Sequence, residues 1–272
     1  MRAALWMLPA VLLLLITYFV PLLDVLTTSV TEPRPGLNNY AGLLTDTGAQ
    51  RIILTTLRIS LTATLIAVGL GYLVAYAMVT GSPRRRVVMF ACVMVPFWIS
   101  ILVRTFAWIL LLRTEGIVNN GLITLHLIDD PLDMLYSETG VLIGTVHYMV
   151  PIAAMTLYGQ MEGIDQRLIT AARGLGAGPV FAFRTVFLPL SLPGIAAASV
   201  LIFIGGIGYF IVPALLGGGK TLMLAEYIGL LITTTVNWGL GTALATVLVA
   251  IVLMLLFAVS RLVDIRRAFG ST

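Results

Sequence analysis

Apolar residues run along this chain in six long blocks, approximately Leu5–Leu23, Leu61–Val79, Val87–Leu112, Val141–Leu157, Leu188–Val212 and Leu240–Leu262. Polar residues gather between them. Blocks of about 20 residues match the length a helix needs to cross the hydrocarbon layer. An open sheet edge would leave backbone groups unpaired in lipid, so the pattern predicts helices. The expectation is an all-α integral membrane protein, six transmembrane helices in one domain over residues 1–272. The first block is longer than the apolar part of a secretory signal, and no small-x-small cleavage site follows it. It reads as a retained span. Pro9 and Pro21 fall near its two ends, where a missing amide donor costs least.

Composition agrees with the pattern. Charged residues make up 10% and hydrophobic residues 59%, whereas a soluble domain carries about 25% charged residues. No His, Cys and carboxylate cluster has ligand-like spacing, so no metal site is expected. The single cysteine, Cys92, sits inside an apolar block and reads as a small core residue. A formal charge of +4 invites a nucleic-acid reading, but the placement of the charges says otherwise. With the N-terminus inside, Arg2, Arg84, Arg85, Arg86, Arg167, Arg173, Arg184, Arg261, Arg266 and Arg267 face the cytoplasm. Arg34, Arg51, Arg113 and Lys220 face outward, a bias of ten to four. Positive charge therefore reports orientation. Both termini come out cytoplasmic, and no nucleic-acid partner is implied.

The segments between blocks differ in character. Thr27 to Arg51 carries Pro33, Pro35 and Gly36, an irregular surface stretch. Arg113 to Gly140 holds Asp129, Asp130, Asp133 and Glu138, either a solvated loop or a docking rim for a soluble external protein. Leu215 to Asn237 has room for a short interfacial helix. Gly217-Gly218-Gly219-Lys220-Thr221 resembles the end of a phosphate-binding loop, but Ala214 stands where the first glycine belongs and no strand precedes it. Nucleotide chemistry is set aside.

Several positions in or beside the blocks stand out. His147 is ionisable at membrane depth, which suits either a pathway wall or a hydrogen-bonded packing role. Arg104 and Arg58 lie towards block ends and read as snorkelling to the surface. The fifth block concentrates Gly205, Gly206 and Gly208 before Tyr209, Phe210 and Pro213. Each glycine weakens a helix by about 1 kcal/mol relative to alanine. Such a run marks either a helix broken at a cavity or a tight helix-packing surface. Tyr209, Phe210 and Trp238 are candidates to line a gate or to stack on a ligand.

The most specific signal is the loop at about 160–187. Ala171-Ala172 is followed by three residues, Gly176, nine more residues, then Val186-Phe187-Leu188-Pro189. Arg167, Arg173 and Arg184 flank these small residues. The order and spacing resemble the Glu-Ala-Ala loop of import-type ABC permeases, with Thr170 in place of the glutamate and Val186 in place of an isoleucine. Glu162 or Asp165 is near enough in sequence to supply the missing acid. Further segments resemble the spermidine/putrescine branch: Pro96-Phe97-Trp98, Val103 to Trp108, Glu115 to Asn120, Leu188 to Ile195 and Val212 to Lys220.

The resemblance implies a type I ABC importer permease fold and a non-catalytic subunit. It binds no cofactor itself, since ATP and Mg would sit on partner ATPase subunits. Implied partners are a cytosolic ABC ATPase dimer, a second permease chain (a paralogue by the family's habit), an external solute-binding protein, and membrane lipid. Thr170, Ala171, Ala172, Arg173, Gly176 and Ala177 would form the coupling helix in an ATPase groove. His147, Gly208, Tyr209, Phe210 and Trp238 would belong to the substrate pathway of a polyamine importer. Members of that branch often carry an acid where this chain has Tyr209, and Asp-Trp where it has Asn237-Trp238. Those neutral positions leave open an opine-like or zwitterionic solute. A secondary transporter would need more ionisable groups within the blocks.

Overall fold

The computed structural model describes residues 2–262, and all regular structure in it is helical. In chain order the helices are α1 (Arg2–Thr31), α2 (Asn38–Thr45), α3 (Thr47–Thr80), α4 (Pro83–Trp98), α5 (Ile101–Leu112), α6 (Ile117–Thr124) and α7 (Glu138–Glu162). They continue with α8 (Gln166–Gly174), α9 (Pro179–Ala182), a π-helical turn over Phe183–Phe187, α10 (Leu188–Ile207), α11 (Ile211–Leu216), α12 (Leu224–Thr233) and α13 (Trp238–Leu262). Five helical stretches are long and apolar enough to cross a bilayer, and a bent pair, Pro83–Trp98 with Ile101–Thr124, passes the same test when taken together.

Helix ends depart from the apolar blocks for identifiable reasons. α1 encloses both Pro9 and Pro21 rather than ending near them, because in lipid a continued helix is the cheapest way to satisfy the backbone. α3 starts 14 residues before its block because the Asp46 side chain accepts from the amides of Gly48 at 2.8 Å and Ala49 at 3.2 Å. That is a strong N-terminal cap. The third block is not one helix. α4 stops at Trp98, and the chain turns by 95° into the next helical segment. Pro96 lacks the amide that would extend the ladder, and Ile99 and Ser100 are out of the helical region. The fifth block runs continuously back through the π turn to Pro179, and it breaks at Gly208 instead of reaching Val212.

α3 lies against α7 and α10, and α1 against α13. Ala63, Ala67 and Ala75 of α3 and Ala153, Ala154 and Leu157 of α7 are fully buried. At Gly71 a Cβ atom would lie 2.8 Å from the Ala153 Cβ and 2.9 Å from the Ala154 amide nitrogen. The backbones therefore meet with nothing between them, as small residues allow in membranes. α4 has no buried residue, so Cys92 is exposed on its surface and is not in the core. Leu13, Leu65, Val88, Val95, Leu110 and Phe257 are among many large apolar side chains left outside, as a lipid-facing surface requires.

Arg58 does not reach out alone. Its guanidinium pairs with Glu138 at the start of α7. The α3–α7 approach yields a paired prediction. Gly71→Ala forces the two helices apart, which overpacking arguments put at about 1–3 kcal/mol. Its unfolding midpoint in detergent should fall by about 5 °C. Gly69→Ala, with nothing within 4 Å of the new methyl group, should leave the midpoint unchanged or raise it slightly.

Candidate functional site

Two features carry the chemistry, at different depths. The first is α8, outside the bundle at the end where α3 and α7 finish and α4 begins. Asp165 caps it by accepting from the Arg167 amide at 2.9 Å. Its far end closes with two reverse bonds, Ala177 N–H to Ala172 carbonyl at 3.1 Å and Gly176 N–H to Arg173 carbonyl at 3.0 Å. This is the double-bonded glycine stop of a helix. It places Gly176 at φ +91°, where a residue with a Cβ is strained. Gly176 is thus required by the backbone as well as by surface profile. Thr170, Ala171, Arg173 and Gly176 are exposed, and Ala172 and Ala177 are half-buried.

Around this stop lies an open hollow lined by Ala172, Leu175, Gly176, Ala177, Gly178 and Phe181. Leu175 is 91% exposed and Phe181 63%, more apolar surface than a solvated loop tolerates. Neither nearby acid substitutes for the glutamate absent at Thr170. Asp165 is used as the cap, and Glu162 accepts from Tyr158 Oη at 2.8 Å and lies 3.5 Å from Arg86. The Thr170 hydroxyl turns back to the Gln166 carbonyl at 3.2 Å.

A block of aromatic rings joins α8 to the bundle. Ile164 and Ile169 pack with Phe183 and the buried Phe187. Tyr76 of α3 meets Phe183 at 5.1 Å and Phe187 at 5.0 Å, both edge to face. Tyr72 of α3 bonds Ser191 of α10 at 3.0 Å. The π turn over Phe183–Phe187 supplies both rings at the mouth of α10. Displacement of α8 therefore bears directly on α3 and α10.

The second feature surrounds the gap between α10 and α11. Gly208 ends α10, and Tyr209 lies stacked on Tyr148 of α7 at 5.0 Å. Arg104 of α5 sits over the other partner of that stack, 5.3 Å from the Tyr148 ring centre. Its Nε and Nη1 atoms are buried without a hydrogen-bond partner among the described residues. Arg104 thus turns inward instead of snorkelling. One turn along α5, Trp108 Nε1–H donates to His147 Nδ1 at 3.2 Å. Indole is a donor only, so the His147 proton is carried on Nε2. Trp108 and His147 also wall an apolar hollow of about 480 Å³ with Leu70, Cys92, Pro96 and Pro151, inside the α4–α5 bend.

The structure therefore brings together His147, Gly208 and Tyr209, joined through Tyr148. Phe210 turns the other way, towards α12, where a Cβ at Gly229 would lie 3.1 Å from its Cε2. Trp238 is separate. It opens α13 beside the segment after α1, where Gly239 abuts the Glu32 backbone. Arg104, Tyr148 and Glu226 were not singled out by sequence pattern as site residues. Glu226, on the connecting helix α12, is buried with Oε2 unpartnered. Asp133 is not part of a purely acidic rim. With Arg113, Glu115 and Lys220 it lines a hollow of mixed charge.

Known proteins supply the family. Residues 67–267 match the family described as binding-protein-dependent transport system inner membrane component. The spermidine/putrescine transport system permease protein PotB of Haemophilus influenzae is 33% identical over 231 residues, covering 84% of this chain and 80% of its own. PotB of Escherichia coli is 32% identical, with 84% of each chain covered. In structure, a permease chain of a bacterial alginate ABC transporter, solved with an alginate-bound periplasmic protein, superposes with a TM-score of 0.82. The overlap covers 100% of this chain and 96% of that one, at 19% identity. The methionine ABC transporter MetNI gives 0.60, over 81% and 95%, at 20% identity. The fold is that of a type I ABC importer permease. This chain belongs to the family of inner-membrane components of binding-protein-dependent transport systems, and it resembles the permeases of spermidine/putrescine systems.

The glycine stop of α8 can be tested by itself. Gly176→Ala should cost about 1–2 kcal/mol at the left-handed position and fray the last turn. Tryptic cleavage after Arg173 in membranes holding this chain alone should then speed up severalfold. Gly174→Ala, inside the helix with open space around it, should cleave no faster than wild type.

Proposed function

We propose that this chain is one of two permease subunits lining the pathway of an ATP-driven importer for a small amine-bearing solute of the spermidine/putrescine class. The observation that carries the reading is the 33% identity to a spermidine/putrescine permease across 84% of the chain. The α8 end of the bundle faces the cytoplasm in this reading. Arg84, Arg85, Arg86, Arg167, Arg173 and Arg184 all lie at that end, and positive residues mark the inner side. The N- and C-termini are then cytoplasmic too.

The proposed cycle uses the two features in series. α8 docks in a groove of a cytosolic ATPase, its small residues Ala171, Ala172 and Gly176 letting two backbones approach. Leu175 and Phe181 bury their apolar surface against that subunit. ATP binding closes the ATPase pair and shifts α8. The Phe183–Phe187 block passes the shift to α3 and α10, and the α10–α11 gap opens to one side or the other. The chain contributes no ATP chemistry. A second permease chain, which the family suggests is a paralogue, completes the pathway, and an external solute-binding protein delivers the solute to the face carrying α2, α6 and α12.

Aromatic rings and a carboxylate suit an ammonium leaving water, because each offers negative potential where hydration is lost. Tyr209 and Phe210 supply rings beside the gap. The test is ATPase activity of the reconstituted complex with its external binding protein. Protein loaded with spermidine or putrescine should stimulate hydrolysis severalfold. Stimulation by a zwitterion alone, or the lack of any co-purifying ATPase, would overturn the reading. Ala172→Glu, which places bulk and charge on the docking face, should reduce uptake to less than about a tenth while leaving membrane insertion unchanged.

A further inference from the structure

We infer that Glu226 is the carboxylate that receives a substrate ammonium beside the α10–α11 gap. The inference rests on the amine-solute reading above and adds a named contact to it. α12 is held in place from both sides. The Leu224 amide donates to Thr56 Oγ1 of α3 at 2.7 Å, and Leu224, Tyr227, Ile228 and Leu231 pack with Ala49, Ile53 and Leu244. Glu226 and Gly229, three residues apart, share the helix's other face. Gly229 lies against the Phe210 ring, so this face covers the start of α11, next to Tyr209.

The environment of Glu226 is not that of an ordinary surface acid. The residue is only 6% exposed. It occupies the third helical position after the N-cap Met223, and its carboxylate lies by the Met223 backbone amide. A glutamate at this position can cap the helix through one acceptor oxygen, which glutamine supplies equally well. The charge and the second oxygen are surplus to it. Oε2 is buried with no partner, and no Lys or Arg forms an ion pair with Glu226 among the described residues. A buried carboxylate left uncompensated is costly, and such a group calls for a partner of opposite charge.

A primary or secondary ammonium meets these demands. Its N–H groups donate to Oε2, and its charge compensates the carboxylate while its methylene neighbours lie along Phe210. The Tyr148 face is already held by the Arg104 guanidinium, which repels a second cation there. Glu226 also answers the absence of an acid at Tyr209 and at Asn237: the negative group is carried on α12 instead.

The test uses the complete importer in proteoliposomes, with ATPase, partner permease and binding protein, and measures uptake of putrescine and spermidine. Glu226→Gln keeps the cap acceptor and removes the charge. Glu226→Asp keeps the charge on a shorter arm. Both should insert into the membrane and assemble with the partner subunits at wild-type yield. Uptake at subsaturating loaded binding protein should fall about tenfold to a hundredfold for Glu226→Gln, the range for a charge-assisted bond. Glu226→Asp should retain clearly more. Wild-type uptake by Glu226→Gln, or equal losses in both variants, overturns the inference while the function reading stands. A wild-type importer that moves neither amine overturns the function reading, and this inference with it.

Discussion

The close approach of α3 and α7 is the constraint on which the rest of the bundle depends. In lipid there is no hydrophobic gain from bringing two apolar helices together, because the surrounding acyl chains are as apolar as leucine. What holds them is dispersion between atoms in direct contact, and that requires the backbones to come near. Ala63, Ala67, Gly71 and Ala75 make α3 narrow along one side, and Ala153 and Ala154 do the same for α7. α10 joins through Ala198, Ile202 and Gly206, the last packed on Ser60 and Met149. Three helices thus form a dry rod. α1, α4 and α13 are more exposed around it and free to meet lipid or another chain.

That rod ends differently at its two ends, and the difference underlies the proposed function. Where α8 lies, the rod closes on aromatic rings. Tyr72, Tyr76, Phe183 and Phe187 fill the space tightly, and close-packed interiors transmit displacement instead of absorbing it. Beyond Gly206 the helix is interrupted. Gly208 ends α10, α11 is only six residues long, and the buried atoms without partners accumulate on the surrounding elements. Ser60 Oγ, Arg104 Nε and Nη1, Thr145 Oγ1, Tyr209 Oη and Glu226 Oε2 all lie on helices that touch α10 or α11, or in the gap itself. One end of the rod is filled by rings, and the elements around the other carry buried polar atoms without partners among the described residues.

Much of this was legible in the residues, and the reasons are physical. Apolar run length is dictated by bilayer thickness, so the crossings could be read directly. The α8 stop was legible because Gly176 has a fixed spacing from Ala171 and Ala172, although the left-handed backbone that requires the glycine was not. The break at Gly208 was signalled by the density of glycine before it. The break after Trp98 was obscured because Pro96 sits in an unbroken apolar run, and proline is tolerated within membrane helices. Boundaries shifted where a cap outweighed composition, as Asp46 does for α3.

Charged residues inside the bundle were the hardest to read, because sequence position fixes depth but not direction. Arg104 falls near a block end, where snorkelling is the usual outcome. The bend between α4 and α5 reorients α5 so that Arg104 meets Tyr148 instead. Glu226 lies in a segment too short to span and reads as a loop acid until Thr56 fixes the helix start and Tyr227 and Leu231 claim the opposite face. Both side chains became visible through helix breaks. A straight bundle would have let them reach water, whereas the bend and the gap hold them in. The irregular backbone at Ile99–Ser100 and Gly208–Phe210 is therefore what makes buried charge possible here. An irregular backbone at membrane depth is itself tolerated only where protein or a water-lined cavity satisfies it, so the breaks and the charges belong to one arrangement.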